Sequence, residues 1–269
     1  MSARIVVLGS ADAFSSAGRG NTAFLVEDGA PPCTVDFGPT ALLALKRLGR
    51  DPAEIAAVHL THLHGDHVGG IPMLFVDAAF RAHRTAPLEI TGPPGTAERV
   101  QTLWKAFYAD AAKDDFAFEL RIRELRPGET VRICDRDVSA FRAQHHRGDR
   151  IALMLSLRGP AGTLAFTGDT GPCDALRDLA RGASLLCAEC TDLEVQGTAT
   201  RRHLAWAELR DLLPALGVRR AILGHIGEAV RARAAAIEEE ASRMGIDLRV
   251  ADDLSEVALD PGHLRTAPL

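Results

Sequence analysis

Short apolar runs alternate with amphipathic stretches along the whole chain. Runs of three to seven residues rich in Val, Ile, Leu, Ala and Phe predict strands at 4–8, 23–27, 34–36, 57–60, 88–91, 137–142, 151–157, 163–166, 185–189 and 220–223. Helical spacing lies between them. At 40–48, Leu42, Leu45 and Leu48 fall on one side, and Gly49 follows as a stop. At 96–110, Val100, Leu103, Trp104 and Phe107 share a face, and at 204–216 so do Leu209, Leu212, Leu213 and Leu216, ahead of Gly217. The Ala-, Glu- and Arg-rich segment 228–244 predicts one last long helix. Such stripes belong to a core and carry no chemistry. Segment 9–22 is rich in Gly and Ser, lacks a period and predicts a loop after the first strand.

Strands interspersed with helices describe an α/β (α+β) chain with helix-covered sheets. The order is not a regular βαβα series. Consecutive strands at 131–166 require hairpins, and so mixed or antiparallel sheets. No repeat, low-complexity tract or long linker divides the 269 residues, which suit a single domain over 1–269.

Composition narrows the function classes. A net charge of -5 does not favour nonspecific attraction to nucleic acid, and one Tyr and two Trp supply no stacking platform for single strands. No apolar run approaches the roughly 18 residues of a membrane-spanning helix. The N-terminus lacks the pattern of a secretory signal. Five scattered cysteines without framework spacing indicate reduced thiols and a cytoplasmic setting.

The informative segment is Val58-His-Leu-Thr-His-Leu-His-Gly-Asp-His-Val-Gly-Gly. His62, His64, Asp66 and His67 fall within six residues, directly after a strand. Imidazole and carboxylate are good ligands for zinc and similar divalent ions. An i, i+2 pair in extended backbone points two rings the same way. A turn at Gly65 then swings Asp66 and His67 toward a neighbouring position, so one loop can supply two ions. A His-rich surface turn is the bland alternative, and four potential ligands at this spacing argue against it.

Thr61-His-Leu-His-Gly-Asp-His resembles the signature of the metallo-β-lactamase fold superfamily. Further positions are similar in chain order. Asp36 in Val35-Asp-Phe-Gly resembles the strand-end aspartate that supports the histidine loop. His145 in Phe141-Arg-Ala-Gln-His-His resembles the third histidine ligand; His146 is adjacent, and the sequence leaves the choice open, with His145 favoured. Asp169 in Phe166-Thr-Gly-Asp-Thr-Gly resembles the carboxylate that bridges two ions, and His225 in Ile222-Leu-Gly-His-Ile the last histidine ligand. The resemblance implies a four-layer αββα sandwich of two mixed β-sheets. It implies two divalent ions, zinc first and manganese or iron otherwise. One is held by His62, His64 and His145, the other by Asp66, His67 and His225, and Asp169 is shared.

The opening Gly9-Ser-Ala-Asp-Ala-Phe, Gly18-Arg-Gly-Asn-Thr and the segment His203-Leu-Ala-Trp-Ala-Glu are similar to the ribonuclease Z-like branch. Common bacterial ribonuclease Z enzymes carry a long tRNA-gripping arm between the third histidine and the bridging aspartate. Here those two positions, His145 and Asp169, are only 24 apart. The missing arm sets the expectation against tRNA and toward a small-molecule substrate, with no membrane partner and a homodimer by resemblance.

Two ions sharing a water lower its pKa from about 15.7 toward about 7, giving a metal-bound hydroxide. Asp66 or Asp169 would hold it, and His203 is the candidate general acid for the leaving group. The expected substrate is a small phosphodiester. The alternative is a carboxylic ester, lactone or thioester attacked by the same hydroxide. A flavin-linked di-iron protein is disfavoured because His62 and His64 are both present, and a binding scaffold because the ligand set is complete. The spacing Cys187-Ala-Glu-Cys190 reads as packing, His59 and His83 as structural or solvated, and the arginine pairs at 201–202 and 219–220 as surface. Segment 75–83 follows the metal loop and fits either a pocket wall or a dimer contact, and the sequence leaves both open.

Overall fold

Alternate residues of single strands enter two different cores. In β1 (Arg4–Gly9), Ile5 and Val7 face the space between two sheets, while Val6 and Leu8 face helices outside the first sheet. In β2 (Ala23–Glu27), Phe24 and Val26 point inward and Ala23 and Leu25 outward. A strand buried on both faces reads as an uninterrupted apolar run, which is why these segments stand out in the sequence. The structure, a computed structural model, describes residues 3–110, 116–146, 148–196 and 201–259.

The first sheet continues with β3 (Cys33–Val35), β4 (Ala57–His59), β5 (Leu88–Gly92) and β6 (Leu120–Glu124). The second comprises β7 (Thr130–Ile133), β8 (Arg136–Arg142), β9 (Leu153–Gly159), β10 (Gly162–Phe166), β11 (Leu185–Glu189), β12 (Arg220–Gly224) and β13 (Asp247–Val250). A last strand, β14 (Glu256–Ala258), returns to the first sheet beside β1. The orders are β14-β1-β2-β3-β4-β5-β6 and β13-β12-β11-β10-β9-β8-β7. Each sheet is antiparallel in one half and parallel in the other, so both are mixed, as the hairpin-rich segment requires.

Helices α1 (Ala41–Arg47), α2 (Gly65–Val68), α3 (Ile71–Val76) and α4 (Thr96–Phe107) lie with the first sheet. Helices α5 (Ala175–Ala180), α6 (Trp206–Ala215), α7 (Glu228–Ala232) and α8 (Ala234–Arg243) lie with the second. The result is the four-layer αββα sandwich of the metallo-β-lactamase fold. Among the described residues no helix is long and apolar enough to cross a membrane.

One expectation needs correction. The single helix at 228–244 is two helices, broken at Arg233, whose φ of -108° and ψ of 10° leave the helical region. The break lets Val230 of α7 and Ile237 and Ala241 of α8 each reach the core. Strands β6, β7, β13 and β14, and helices α2, α3 and α5, escape the apolar pattern. They are short, and β6, β7, β13 and β14 stand at sheet edges, where half-exposed arginines and glutamates mask the period.

The parallel halves set up the site. The carboxyl ends of β3 and β4 deliver Asp36 and the 61–67 loop, and those of β10, β11 and β12 deliver 167–170, 189–191 and 225. Open α/β sheets bind ligands at this end of their strands. At the opposite end, Arg136 of β8 is fully buried and joins the sheets. Its Nη2 and Nε donate to Asp28 Oδ1 and Oδ2 at 2.6 and 3.2 Å, and its Nη1 donates to the Pro31 carbonyl at 2.7 Å. Asp28→Ala leaves that guanidinium buried without its counter-ion, an expected loss of about 3–5 kcal/mol. Urea unfolding reads this as a lower midpoint, and a shift under about 1 kcal/mol would show that the carbonyls alone satisfy Arg136.

Candidate metal centre

Five imidazoles and two carboxylates converge where the two sheets meet. His62, at the start of the loop after β4, and His64 come from the first sheet, as do Asp66 and His67 on α2. His145 follows β8, Asp169 follows β10 and His225 follows β12, all of the second sheet. His62, His67, His145, Asp169 and His225 are buried.

The contacts divide into two groups. His64 Nδ1 is 3.1 Å from both His62 Nε2 and His145 Nε2, and Asp169 Oδ2 is 3.6 and 3.8 Å from those two Nε2 atoms. In the second group, His67 Nε2 is 3.2 Å from Asp66 Oδ2 and 3.3 Å from Asp169 Oδ1, and His225 Nε2 is 3.4 Å from both Asp66 Oδ2 and Asp169 Oδ2. Asp169 belongs to both. A tetrahedral ion bound at 2.0–2.1 Å has ligand–ligand edges of about 3.3 Å, so either group has the dimensions of a zinc-type site.

Proton accounting strengthens this reading. His67 Nδ1 donates to Asp36 Oδ2 at 2.7 Å, and His145 Nδ1 donates to the Arg202 carbonyl at 3.1 Å. The Thr61 hydroxyl donates to Asp36 at 2.8 Å and so accepts from His62 Nδ1 at 3.1 Å. The Thr191 hydroxyl donates to Glu189 at 2.8 Å and so accepts from His225 Nδ1 at 2.9 Å. In their neutral form four rings thus have their N–H fixed on the outside and a lone pair on Nε2 turned inward. Outer partners of this kind select the metal-binding tautomer. Two inward atoms, His67 Nε2 and Asp169 Oδ1, are buried without a hydrogen-bond partner. Acceptors facing acceptors in a buried space call for a cation between them.

The electrostatics agree. Burial pushes His62 well below its ordinary range and His145 down to about 4, so both rings present lone pairs. Burial also opposes charge on His67, but Asp169 and Asp36 outweigh it and hold the ring well above that range. The field that keeps a proton on His67 Nε2 is the field a metal ion neutralises in its place. Burial disfavours charge on Asp66 and Asp169 too. The facing histidines prevail, and both carboxyls stay below the usual carboxylate range.

Backbone geometry holds the cluster in place. Asp36 and His225 adopt left-handed conformations, φ 59° and 50°, at their strand ends. Asp and His tolerate that region better than most residues, and strain of this kind gathers at functional sites. Gly168, φ 51°, lies against Thr61; a Cβ there would sit 2.6 Å from the Thr61 Cβ, so any side chain would push apart the two sheets' contributions. Asp36→Ala removes two acceptors from Thr61 and the outer anchor of His67. Metal affinity, measured by competition with a chromogenic chelator, is expected to fall about 10–100-fold. Unchanged affinity would show that Asp36 does not tune the cluster.

The structure brings His62, His64, Asp66, His67, His145, Asp169 and His225 together. His146 is outside both groups; its ring lies 4.8 Å from that of His64 and lines a neighbouring cavity. His203 is close by. Its Nδ1 is 3.0 Å from Glu189 Oε1 and its ring stacks on His225 at 5.3 Å. Burial lowers its basicity, but the hydrogen bond and charge of Glu189 raise it further, to about 9. Glu189, His203 and His225 could also form a third ion-sized group. The hydrogen bonds among Glu189, Thr191, His203 and His225 already satisfy those atoms, which favours a relay.

Glu189 and Thr191 went unnoticed in the sequence. The available signal was a glutamate closing the buried apolar run Leu185-Leu-Cys-Ala-Glu. Cys187 and Cys190 beside it are free and buried. His59 is buried with Nδ1 on Thr91 Oγ1 at 2.8 Å, and His83 is exposed. Arg201 is paired with Glu208. Phe75 packs with Trp104 and Phe116, away from the cavity lining.

A family model described as Anti-Pycsar protein Apyc1 matches residues 3–246. The ribonuclease Z of Methanothermobacter thermautotrophicus is 28% identical over 94% of this chain and 95% of its own. The ribonuclease Z of Mycobacterium bovis is 31% identical over 68% of each. Human tRNase Z, short form, superposes with a TM-score of 0.76 at 20% identity, covering 95% of this chain and 99% of that one, a likeness of fold. These relatives lend no support to the expectation against tRNA. With a match across most of its length, the chain belongs to the Anti-Pycsar protein Apyc1 family, among the ribonuclease Z-like proteins of the metallo-β-lactamase fold.

Proposed function

We propose that this metal-dependent hydrolase holds two divalent ions, zinc by its donor set and edge lengths, and cleaves a small phosphodiester. The observation that carries the reading is the double ligand group meeting at Asp169. Manganese or iron would use the same nitrogen and oxygen donors. When bound, two ions supply an activated water at neutral pH and stabilise charge on the phosphoryl oxygens.

The chain's own residues do the rest. Asp66, kept ionised and partly exposed, orients the attacking water by accepting its hydrogen bond. His203, half-open to solvent and tied to Glu189 through Nδ1, is left with Nε2 to protonate the departing alkoxide. The small-substrate part rests on the short connection from His145 to Asp169, which β9 and β10 fill as a hairpin turning at 159–162 with no inserted arm. The ribonuclease Z relatives point to a phosphorus rather than a carbonyl electrophile.

The test is a parallel screen of the metal-loaded chain. Substrates are bis(p-nitrophenyl) phosphate, a panel of esters, lactones and thioesters, and a tRNA precursor bearing a 3′ trailer. Turnover of the phosphodiester alone is expected. Cleavage of the precursor would replace the small-substrate reading with tRNA processing. Turnover of carbonyl substrates alone would move the electrophile to carbon.

A further inference from the structure

A cavity of about 750 Å³ opens beside the cluster of candidate metal ligands. His64 and His146 border it, so the cavity and the cluster share a wall. Its apolar part is Leu63, Pro94 and Ile151. A dialkyl phosphate held at the ions leaves most of this space to whatever its alcohols carry.

Two cations line the cavity from different parts of the fold. Arg99 sits on α4, and Arg150 on the segment leading into β9. Both are exposed, and among the described residues neither guanidinium has an ion-pair or hydrogen-bond partner. Several other arginines are tied to acids, as Arg4 is to Glu27, Arg121 to Glu119 and Arg158 to Asp137, but what sets Arg99 and Arg150 apart is that both line this one cavity. A guanidinium keeps its charge at any working pH and offers a planar fork of donors that matches phosphate oxygens.

We propose that Arg99 and Arg150 receive a second, non-scissile phosphate carried on one of the diester's alcohols. This rests on the phosphodiester reading above. His146 adds a hydrogen-bonding ring on the same side as the ions. Glu98 and Asp149 share the lining. As acceptors they suit hydroxyl or amino groups of the portion linking the two phosphates, and by repulsion they confine the second phosphate to the arginines.

The experiment compares two chromogenic diesters, thymidine 5′-(p-nitrophenyl phosphate) with and without a 3′-phosphate. The metal-loaded chain is expected to show kcat/KM at least about tenfold higher for the 3′-phosphorylated ester, a ratio that falls to about one in the Arg99→Ala/Arg150→Ala double variant. Calorimetric titration of the same proteins with thymidine 3′,5′-bisphosphate and thymidine 5′-phosphate supplies a binding readout that does not depend on turnover. A ratio near one in the parent chain, or one that the double variant leaves unchanged, overturns the proposal. Tenfold tighter bisphosphate binding without hydrolysis of either ester would overturn the phosphodiester reading and leave the second site standing. Equal hydrolysis of both esters would do the reverse.

Discussion

On the two-ion reading proposed above, Asp169→Ala is expected to strip the protein of both ions together, not of one. Asp169 Oδ2 faces His62, His145 and His225, and its Oδ1 faces His67, so a single substitution removes a ligand from each group. It also removes the negative charge that most favours a cation beside His67 and His225. Metal analysis after desalting should fall from two ions per chain to fewer than one. Hydrolysis should fall by about 10³-fold or more, since water activation and charge stabilisation are lost together. Two ions retained by Asp169→Ala would sink the shared-carboxylate arrangement. One ion retained would place Asp169 in a single group.

The second large effect is His203→Ala. General-acid catalysis contributes about 10²–10⁴-fold, so loss of His203 should slow an alkyl phosphodiester by that amount. A p-nitrophenyl ester, whose leaving group departs without a proton, should slow by less than about tenfold. A merely structural role would slow both alike. The pH profile adds a sign. His203 is raised to about 9, so the acid form is fully present at neutral pH and the rate falls as pH rises through that value. Glu189→Gln keeps a hydrogen-bond acceptor but removes the charge of Glu189, leaving burial, which lowers the ring's basicity, against the charges of Asp169 and Asp192, which raise it. The alkaline fall should then move down from that value, toward the ordinary imidazole range. An unmoved limb would assign that titration to another group.

The local and the distant parts of this site were legible to different degrees. His62, His64, Asp66 and His67 announce a metal loop by their own spacing, because six consecutive residues suffice to place them. His145, Asp169 and His225 have no such local signal, and only resemblance pointed to them. Glu189 was invisible for a related reason. Its importance comes from the parallel register of β10, β11 and β12, which sets 167–170, 189–191 and 225 side by side. Apolar runs buried on both faces marked the central strands, whereas the three-residue β14 at a sheet edge left no period to detect. Helix 228–244 looked continuous because Arg233 is a good helix former, and the demands of tertiary packing override its preference.

The division of the ligands has a consequence for durability. Four come from the first sheet and three from the second, and the Leu153 amide already reaches across to the Thr61 carbonyl at 2.8 Å beside them. A cation held there is a rivet between two plates. Pulling the plates apart means breaking its coordination, so resistance to heat and to proteases grows with the logarithm of free metal concentration. Arg136 and Asp28 bolt the far end with fixed charges that no chelator can withdraw. A metal-starved chain would therefore loosen first at its working end, as a hinge opens opposite its pin.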